Sequence, residues 1–262
     1  MIAVFEAWIT KDCSVIVWRE MALLKVGTTE GRFRMVMPDL MAAFESGYQV
    51  VNEKDTDCWN NTHIQGFMGD AVELRKMLSS GDLDLAFSGL IPQMPVDIES
   101  RMILDEQLFF VISDHMLKKY RPEYISDGRS AGNTADLRDF AEVPVCRSLA
   151  HLHCMKILDA VLNKEKLSLN CVHVSAYYDL HQELAVRDYA ACFCLGMYLP
   201  YLKKMNKNTE NRLQVFRIKG LTDTNPVFLL QKKKYSADPT RDLFIKLLEA
   251  KCREIGRLQA EI

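Results

Sequence analysis

Between residues 23 and 113, short apolar runs alternate with stretches whose apolar residues recur every three to four positions. Residues 23–28 (LLKVGT) read as a strand. Residues 32–46 place Phe33, Val36, Met37, Leu40, Met41 and Phe44 on one face of a helix, with Pro38 implying a kink or a restart and Gly47 a stop. Residues 48–53 (YQVVNE) read as the next strand, and 54–66 as a polar loop. Asp70 and Glu73 have capping-box spacing, Ala71, Leu74 and Leu78 supply the apolar face that follows, and Gly81 ends that helix. Residues 82–90 (DLDLAFSGL) are a strand, and 98–113 hold two strand-like runs around a bend. Parallel strands need a crossover between them, so this order predicts an α/β fold built on parallel sheet.

The pattern continues with a loop-rich stretch at 121–136 and a strand at 143–148. Next come a helix over 151–164, a strand at 169–175, a helix over 177–187 and a strand at 191–199. Strands follow at 213–218 and 226–232. Asp238-Pro239 has the chemistry of a helix start, aspartate as cap and proline in the first turn, and Phe244, Leu247, Leu248, Cys252 and Ile255 form the stripe behind it. Residues 1–22 read as a helical or irregular lead-in.

Charge and cysteine usage narrow the function classes. A formal net charge of −2 argues against a chain that grips nucleic acid along its whole surface. No apolar run is long enough for a bilayer, and the N-terminus lacks the charged start, apolar core and cleavage site of a signal peptide. A cytoplasmic location is therefore expected, with no membrane partner. The 8 cysteines include no CxxC pair and read as buried thiols in a reducing compartment.

Five stretches, in order, carry a family resemblance: LKVGTTEGRFRMVMPDLMAAFES, LRKMLSSGDLDLAF, ILDEQLFFVISDHML, LRDFAEVPVCRS and PVFLLQKKKYSADPTRDLFIKLLEA. Together they resemble the effector-binding part of a LysR-type transcriptional regulator, over about residues 23–250. The resemblance implies two Rossmann-like α/β lobes joined by two crossover strands, like a type 2 periplasmic binding protein. Lobe I would take 24–110 plus 228–262 and lobe II 111–227, after a lead-in or linker-helix remnant at 1–23. It also implies a small effector held between the lobes and domains that pair side by side. The helix at 32–46, through Met35, Met37 and Met41, would be a contact in that pairing. DNA would be reached only through a helix-turn-helix, which has no room in the 22 residues before the first strand.

The chemistry of a binding site can be read beside that. Ligands of α/β sheets sit at the carboxyl ends of the strands, where helix N-termini offer unpaired N–H groups. Thr28 and Thr29, at the end of the first strand, either cap the next helix or add hydroxyl donors for a ligand. Arg32 or Arg34 can add charge for a carboxylate. In the second lobe Arg147 and Ser148 follow one strand, Ser175 follows another and Tyr177 opens a helix. Arg147 is either the charged partner of the effector or a solvated surface arginine. The resemblance implies that effectors contact the turn at Thr28–Thr29. It places Gly196 where the family tends to have a glycine-rich turn and this chain reads YAACFCLG over 189–196.

Other constellations have plainer readings. His151 and His153 point apart on a helix and read as helix-start residues rather than metal ligands. Cys192 and Cys194 read as core thiols, Asp82 and Asp84 as turn caps, and Lys232–Lys234 as a solvated strand end. No phosphate loop, dinucleotide fingerprint or catalytic set is present, so no cofactor, metal or enzymatic activity is expected. The expected function is sensing of a small organic effector, a carboxylate by its donors, by a homodimer or higher homo-oligomer. The alternative is a solute-binding protein of a transport system, which shares the fold but needs export.

Overall fold

The computed structural model describes residues 5–8, 17–20, 22–52, 62–89, 95–126, 133–233 and 238–262. The chain divides into two compact units: Met1–Arg101 with Leu229–Lys251, and Met102–Phe228 with Cys252–Ile262. The α/β class expected from the alternation is what the chain adopts.

In the first unit, β1 (Phe5–Trp8) and β2 (Val17–Glu20) pair antiparallel, with Phe5 opposite Glu20. The helical or irregular lead-in expected there is thus corrected to a two-stranded ribbon. At four residues each, and with no apolar–polar alternation in VWRE, the two strands carry little strand signal. β3 (Ala22–Thr28) is flanked by β4 (Thr62–Met68) and β5 (Leu85–Ser88), parallel to both. The sheet order is β4-β3-β5-β13-β6, where β6 is Ile98–Glu106 and β13 is Asn225–Lys232.

Between β3 and β4 lies α1 (Glu30–Asn52), with Pro38 inside it. The strand expected over 48–53 is a correction: residues 48–52 are the end of α1, and residue 53 lies outside the described residues. Gly47 does not take the left-handed conformation that would end a helix, and a Cβ on it would sit 3.8 Å from Leu243. The glycine is therefore a helix-interior residue facing α8 (Pro239–Ala260), and Val50-Val51 is helical despite its strand propensity. Residues 62–66 of the expected loop are instead the start of β4, and residues 54–61 lie outside the described residues.

The next helix, α2 (Ala71–Ser80), begins as the sequence predicts. Asp70 accepts from the Val72 and Glu73 amides at 2.7 and 2.9 Å, and Glu73 accepts in return from the Asp70 amide at 3.0 Å. Gly81, at φ 85°, closes it in the left-handed region. Close packing of helix on strand requires Gly27 in β3, since a Cβ there would meet Leu83 at 2.5 Å and Leu74 at 2.6 Å. Asp84 accepts from the Lys25 amide at 2.8 Å and Asp82 from Ser80 Oγ, the turn role expected for both.

In the second unit the sheet order is β10-β9-β11-β7-β12-β8. These strands are β7 (Leu108–Ser113), β8 (Thr134–Ala135), β9 (Val145–Arg147), β10 (Cys171–Val174), β11 (Ala191–Leu195) and β12 (Leu213–Ile218). The middle strands β7 and β11 are buried along their whole lengths, as apolar runs without alternation require. Phe110 stacks against Phe140 and Phe193, with ring centres 4.8 and 5.6 Å apart, and anchors this core. Helices α3 (Asp114–Tyr120) and α4 (Glu123–Ser126) follow β7, α5 (His153–Lys164) joins β9 to β10, and α6 (Tyr178–Val186) joins β10 to β11. After a short 3-10 turn at Gly196–Tyr198 comes α7 (Leu199–Met205).

Candidate functional site

Candidate residues fall at strand ends in each unit. In the first unit, Thr28 is fully buried at the end of β3, and its hydroxyl donates to the Phe87 carbonyl at 2.6 Å. The free hydroxyl donor expected at Thr28 is therefore already committed: it stitches β3 to β5. Thr29 follows, its carbonyl accepting the first helical bond of α1 from the Phe33 amide at 2.8 Å. Its hydroxyl accepts from Arg32 Nη1 at 3.1 Å, and Arg32 is buried to 7% exposure. Glu30 occupies the first turn of α1, where its carboxylate answers the positive end of the helix, and Arg34 lies 3.8 Å from it. The structure thus joins Thr28, Thr29 and Arg32 at one turn, with much of their hydrogen-bonding capacity turned inward.

In the second unit, parallel pairing sets the ends of β9 and β10 side by side, with Arg147 opposite Val174 and the Ser175 amide donating to the Arg147 carbonyl at 3.2 Å. Arg147 is neither a solvated surface arginine nor a free charge. Its Nη2 pairs with Asp159 on α5, while its buried Nε has no partner among the described residues. Ser148 is 4% exposed and lies beside the Tyr178 hydroxyl, which also contacts Cys154 Sγ at 2.8 Å. Burial, and then the Cys154 thiol, hold the Tyr178 phenol well above its ordinary range, so it stays protonated and able to donate. The Tyr178 ring lies 5.4 Å from that of Tyr198.

Ser175 Oγ sits 2.9 Å from His181 Nε2 and accepts from the Tyr177 amide at 3.4 Å. Tyr177 itself is exposed just before α6. His181 is fully buried. Burial, and then the adjacent His173 with its ring 5.8 Å away, press His181 from 6.5 down to about 4. Its imidazole is therefore neutral at ordinary pH. Neither His181 Nδ1 nor the amide of the neighbouring buried Gln182 has a partner among the described residues.

Gly196 stands apart from this cluster. Its amide donates to the Gln107 carbonyl at 3.0 Å, and a Cβ on it would overlap the Gln259 side-chain carbonyl. The residue is glycine because Gln259 occupies that space. Gln259 Oε1 accepts from the Gln107 amide at 2.7 Å, and Arg217 donates to Gln107 Oε1 at 2.6 Å and to the Gln259 carbonyl at 2.7 Å. Nearby, the fully buried Glu106 accepts from the Met197 amide at 2.9 Å and from Asn225 at 3.1 Å.

His181, Gln182, Tyr178 and Cys154 are the residues that the sequence reading missed. The available signal was spacing: Tyr178, His181, Gln182 and Ala185 share the buried face of α6, so two polar residues stand at core positions. A cavity of about 270 Å³ also lies in the second unit, lined by Gln107, Thr134, Arg217, Lys219 and Thr222 among others. It includes none of the residues singled out from sequence.

His151 and His153 sit at the start of α5 as expected, and no group of three metal-ligating side chains occurs among the described residues. Cys192 and Cys194 are fully buried, and burial pushes both thiols well up; burial also pushes the Cys146 thiol up, to about 11. Such thiols are inert rather than reactive.

Comparison with solved structures places this architecture. The effector binding domain of QuiR in complex with shikimate matches 89% of this chain and 98% of its own, at 16% identity and a TM-score of 0.58. The BenM effector binding domain with its effector benzoate matches 91% of this chain and 94% of its own, at 11% identity and 0.60. HinK, a LysR family transcriptional regulator from Pseudomonas aeruginosa, matches 88% of this chain over 71% of its own, at 14% identity and 0.62. The fold is that of the LysR effector-binding domain. No family model matches the sequence, and no curated relative does. The fold is of the type 2 periplasmic-binding-protein kind, as the five stretches implied. Among the described residues no helix is long and apolar enough to cross a membrane.

Proposed function

We propose that the protein is the sensing part of a LysR-type regulator and takes a small organic effector carrying a carboxylate at its polar strand ends. The observation that carries this reading is the Ser148–Ser175–Tyr178–His181 cluster. Hydroxyl and ring nitrogen groups are gathered at the ends of two parallel strands, where α/β sheets receive ligands. They sit on a fold shared with domains that hold shikimate and benzoate. Arg147, with its charge shared with Asp159 and its Nε unpartnered, biases the site toward an anion without fixing one by itself. Thr29 and Arg32 offer the corresponding groups in the first unit.

Effector binding is expected to act through pairing of two copies. Met37 is core, but Met35 and Met41 remain half-buried on α1 and are available for such a contact. DNA contact falls to a helix-turn-helix outside residues 23–250, and the cytoplasm is the compartment this role requires. The solute-binding alternative is not favoured, because the matching folds are those of regulators.

Thermal-shift screening with benzoate, shikimate and related organic acids tests the reading on the parent, Ser175→Ala and Thr29→Ala. An acid at a hundred times its Kd stabilises the parent by about 2.7 kcal/mol, and less in the variants. Thr28→Ala is a poorer probe, since it also cuts the link to Phe87. Absence of any response, or equal stabilisation of parent and both variants, sinks the site. Sedimentation checks the pairing: a strict monomer at micromolar concentration counts against it.

A further inference from the structure

We propose that His181 is a positioning residue that turns the Ser175 hydroxyl into an obligate hydrogen-bond donor, so that the effector must present an acceptor, a carboxylate or carbonyl oxygen, to Ser175. This rests on the sensing role proposed above and adds the polarity of one contact within it.

The imidazole of His181 is buried, so the placing of its proton carries a cost. His181 is at 0% exposure; Nε2 lies 2.9 Å from Ser175 Oγ, and Nδ1 has no partner among the described residues. A neutral imidazole carries one proton, on one nitrogen or the other. With the proton on Nδ1, an N–H is buried without an acceptor, which costs on the order of 1–3 kcal/mol and is rare in folded proteins. With the proton on Nε2, the N–H is used by Ser175 and Nδ1 is left as a bare lone pair, the less costly orphan. The Nε2–H form is therefore the favoured one. A doubly protonated ring is disfavoured by the same burial and by His173 alongside.

The consequence falls on Ser175. A serine hydroxyl has one proton and two lone pairs. One lone pair takes Nε2–H of His181, and the other takes the Tyr177 amide at 3.4 Å. Both acceptor positions are then used from within the protein, and the proton is the part left to point outward. Ser175 is half-buried rather than sealed, so that proton can reach a ligand. A ligand N–H or O–H offered to Ser175 finds no lone pair; an oxygen acceptor finds a donor whose direction is already set. His181 is held on α6, and Ser175 is tied to the end of β9 by the hydrogen bond from its amide to the Arg147 carbonyl, so both partners are fixed by the fold.

Two measurements decide the matter. Nitrogen-15 NMR of histidine-labelled apo protein reads the tautomer without any ligand. The expected spectrum shows a protonated Nε2 and an unprotonated Nδ1 for His181; a protonated Nδ1 overturns the proposal. The second measurement titrates benzoate and shikimate into the parent, Ser175→Ala, His181→Phe and His181→Gln. Gln keeps an N–H donor near the place of Nε2, whereas Phe keeps only the volume. Loss of one donor to a carboxylate is expected to weaken binding about ten- to a hundredfold in Ser175→Ala and His181→Phe. His181→Gln is expected to stay within a few-fold of the parent. If the acids bind all four proteins equally, the polarity argument fails while the sensing role stands. If no acid binds the parent, the sensing role fails with these acids, and the ligand half of the inference falls with it. His181→Gln also guards against simple misfolding: if it binds as weakly as a properly folded His181→Phe, the donor is not what matters.

Discussion

The strand ends of the two units are built from similar residues and use them differently. At Thr28–Arg32 in the first unit, the threonine hydroxyl serves the neighbouring strand, the second hydroxyl serves an arginine three residues on, and a glutamate answers the helix terminus. At Ser148–His181 in the second unit, Ser175 meets the imidazole of His181 and the Tyr178 phenol meets Cys154, while Nδ1 of His181 and the Gln182 amide have no partner among the described residues. The first turn uses its side chains mostly within the fold, while the second leaves buried polar atoms unpartnered among the described residues. Discriminating one small molecule from another takes groups that the protein has positioned but not saturated.

That contrast can be broken at several levels. The largest effect is expected in the core that holds the second network in place. Phe110→Ala removes a ring packed on Phe140 and Phe193, and costs about 3–5 kcal/mol in denaturant unfolding. Phe44→Ala, where a ring meets Phe244 at 6.4 Å, should cost a similar amount in the first unit. If the units unfold separately, each substitution moves a different transition. A single shared transition would show that the contrast between strand ends stops short of stability.

Next comes pH. His181 is held from 6.5 down to about 4, so in that window the unfolded chain binds more protons than the folded one. Its contribution is complete above about pH 6.5 and is lost as pH falls toward 4. By linkage it is on the order of 3 kcal/mol. The parent should lose stability over this window, and His181→Phe should lose correspondingly less, measured by chemical unfolding at pH 7 and 4.5. Equal slopes would remove the histidine from the network. Below that window, Asp136 and Asp188 take over. Arg138 and then Lys219 hold Asp136 below the usual carboxylate range. Ser113, Asn211 and His115 do the same for Asp188, against the opposing effect of burial. Both stabilise the second unit above about pH 4 and release it as acid protonates them.

Smaller effects test the tight packing around Gly196. Gly196→Ala forces Gln259 aside and should cost about 1–3 kcal/mol. Adding Gln259→Ala should recover part of the steric cost, so a double-mutant cycle gives a coupling energy of opposite sign to the single losses. Additive losses would mean that the two residues do not compete for the same space. The smallest expected effect is Asp70→Ala, which removes the α2 cap in the first unit for about 1 kcal/mol and should leave any effector response unchanged.

Much of the fold was legible because its signals are local. The Asp70–Glu73 box, the Asp238-Pro239 start and the 213–218 strand all come from short-range chemistry that tertiary contacts do not override. The strand expected at 48–53 is helix instead because Gly47 keeps helical backbone rather than the left-handed form that ends a helix, so α1 runs on to Asn52. The ribbon at 5–20 was too short and too mixed in polarity to announce itself. At the site, strand-end position pointed to Thr29, Arg147 and Ser175, and it is a legible property of α/β order. What those residues touch was not legible. The pairing of Arg147 with Asp159 and the commitment of Thr28 to Phe87 span twelve and fifty-nine positions along the chain. His181 was hidden by its periodicity, since a core position draws attention only when its polarity is weighed as well as its spacing.

The Gln259 contact has a consequence for the order in which the molecule can be completed. Gln107, Arg217 and Gly196 all close on a residue in the last helical turns. A nascent chain that has exposed every strand of the second unit still lacks the side chain that locks them. The bonds from Gln107 and Arg217 to Gln259 can form only after Gln259 has left the ribosome, and a piece spanning residues 102–228 lacks them altogether.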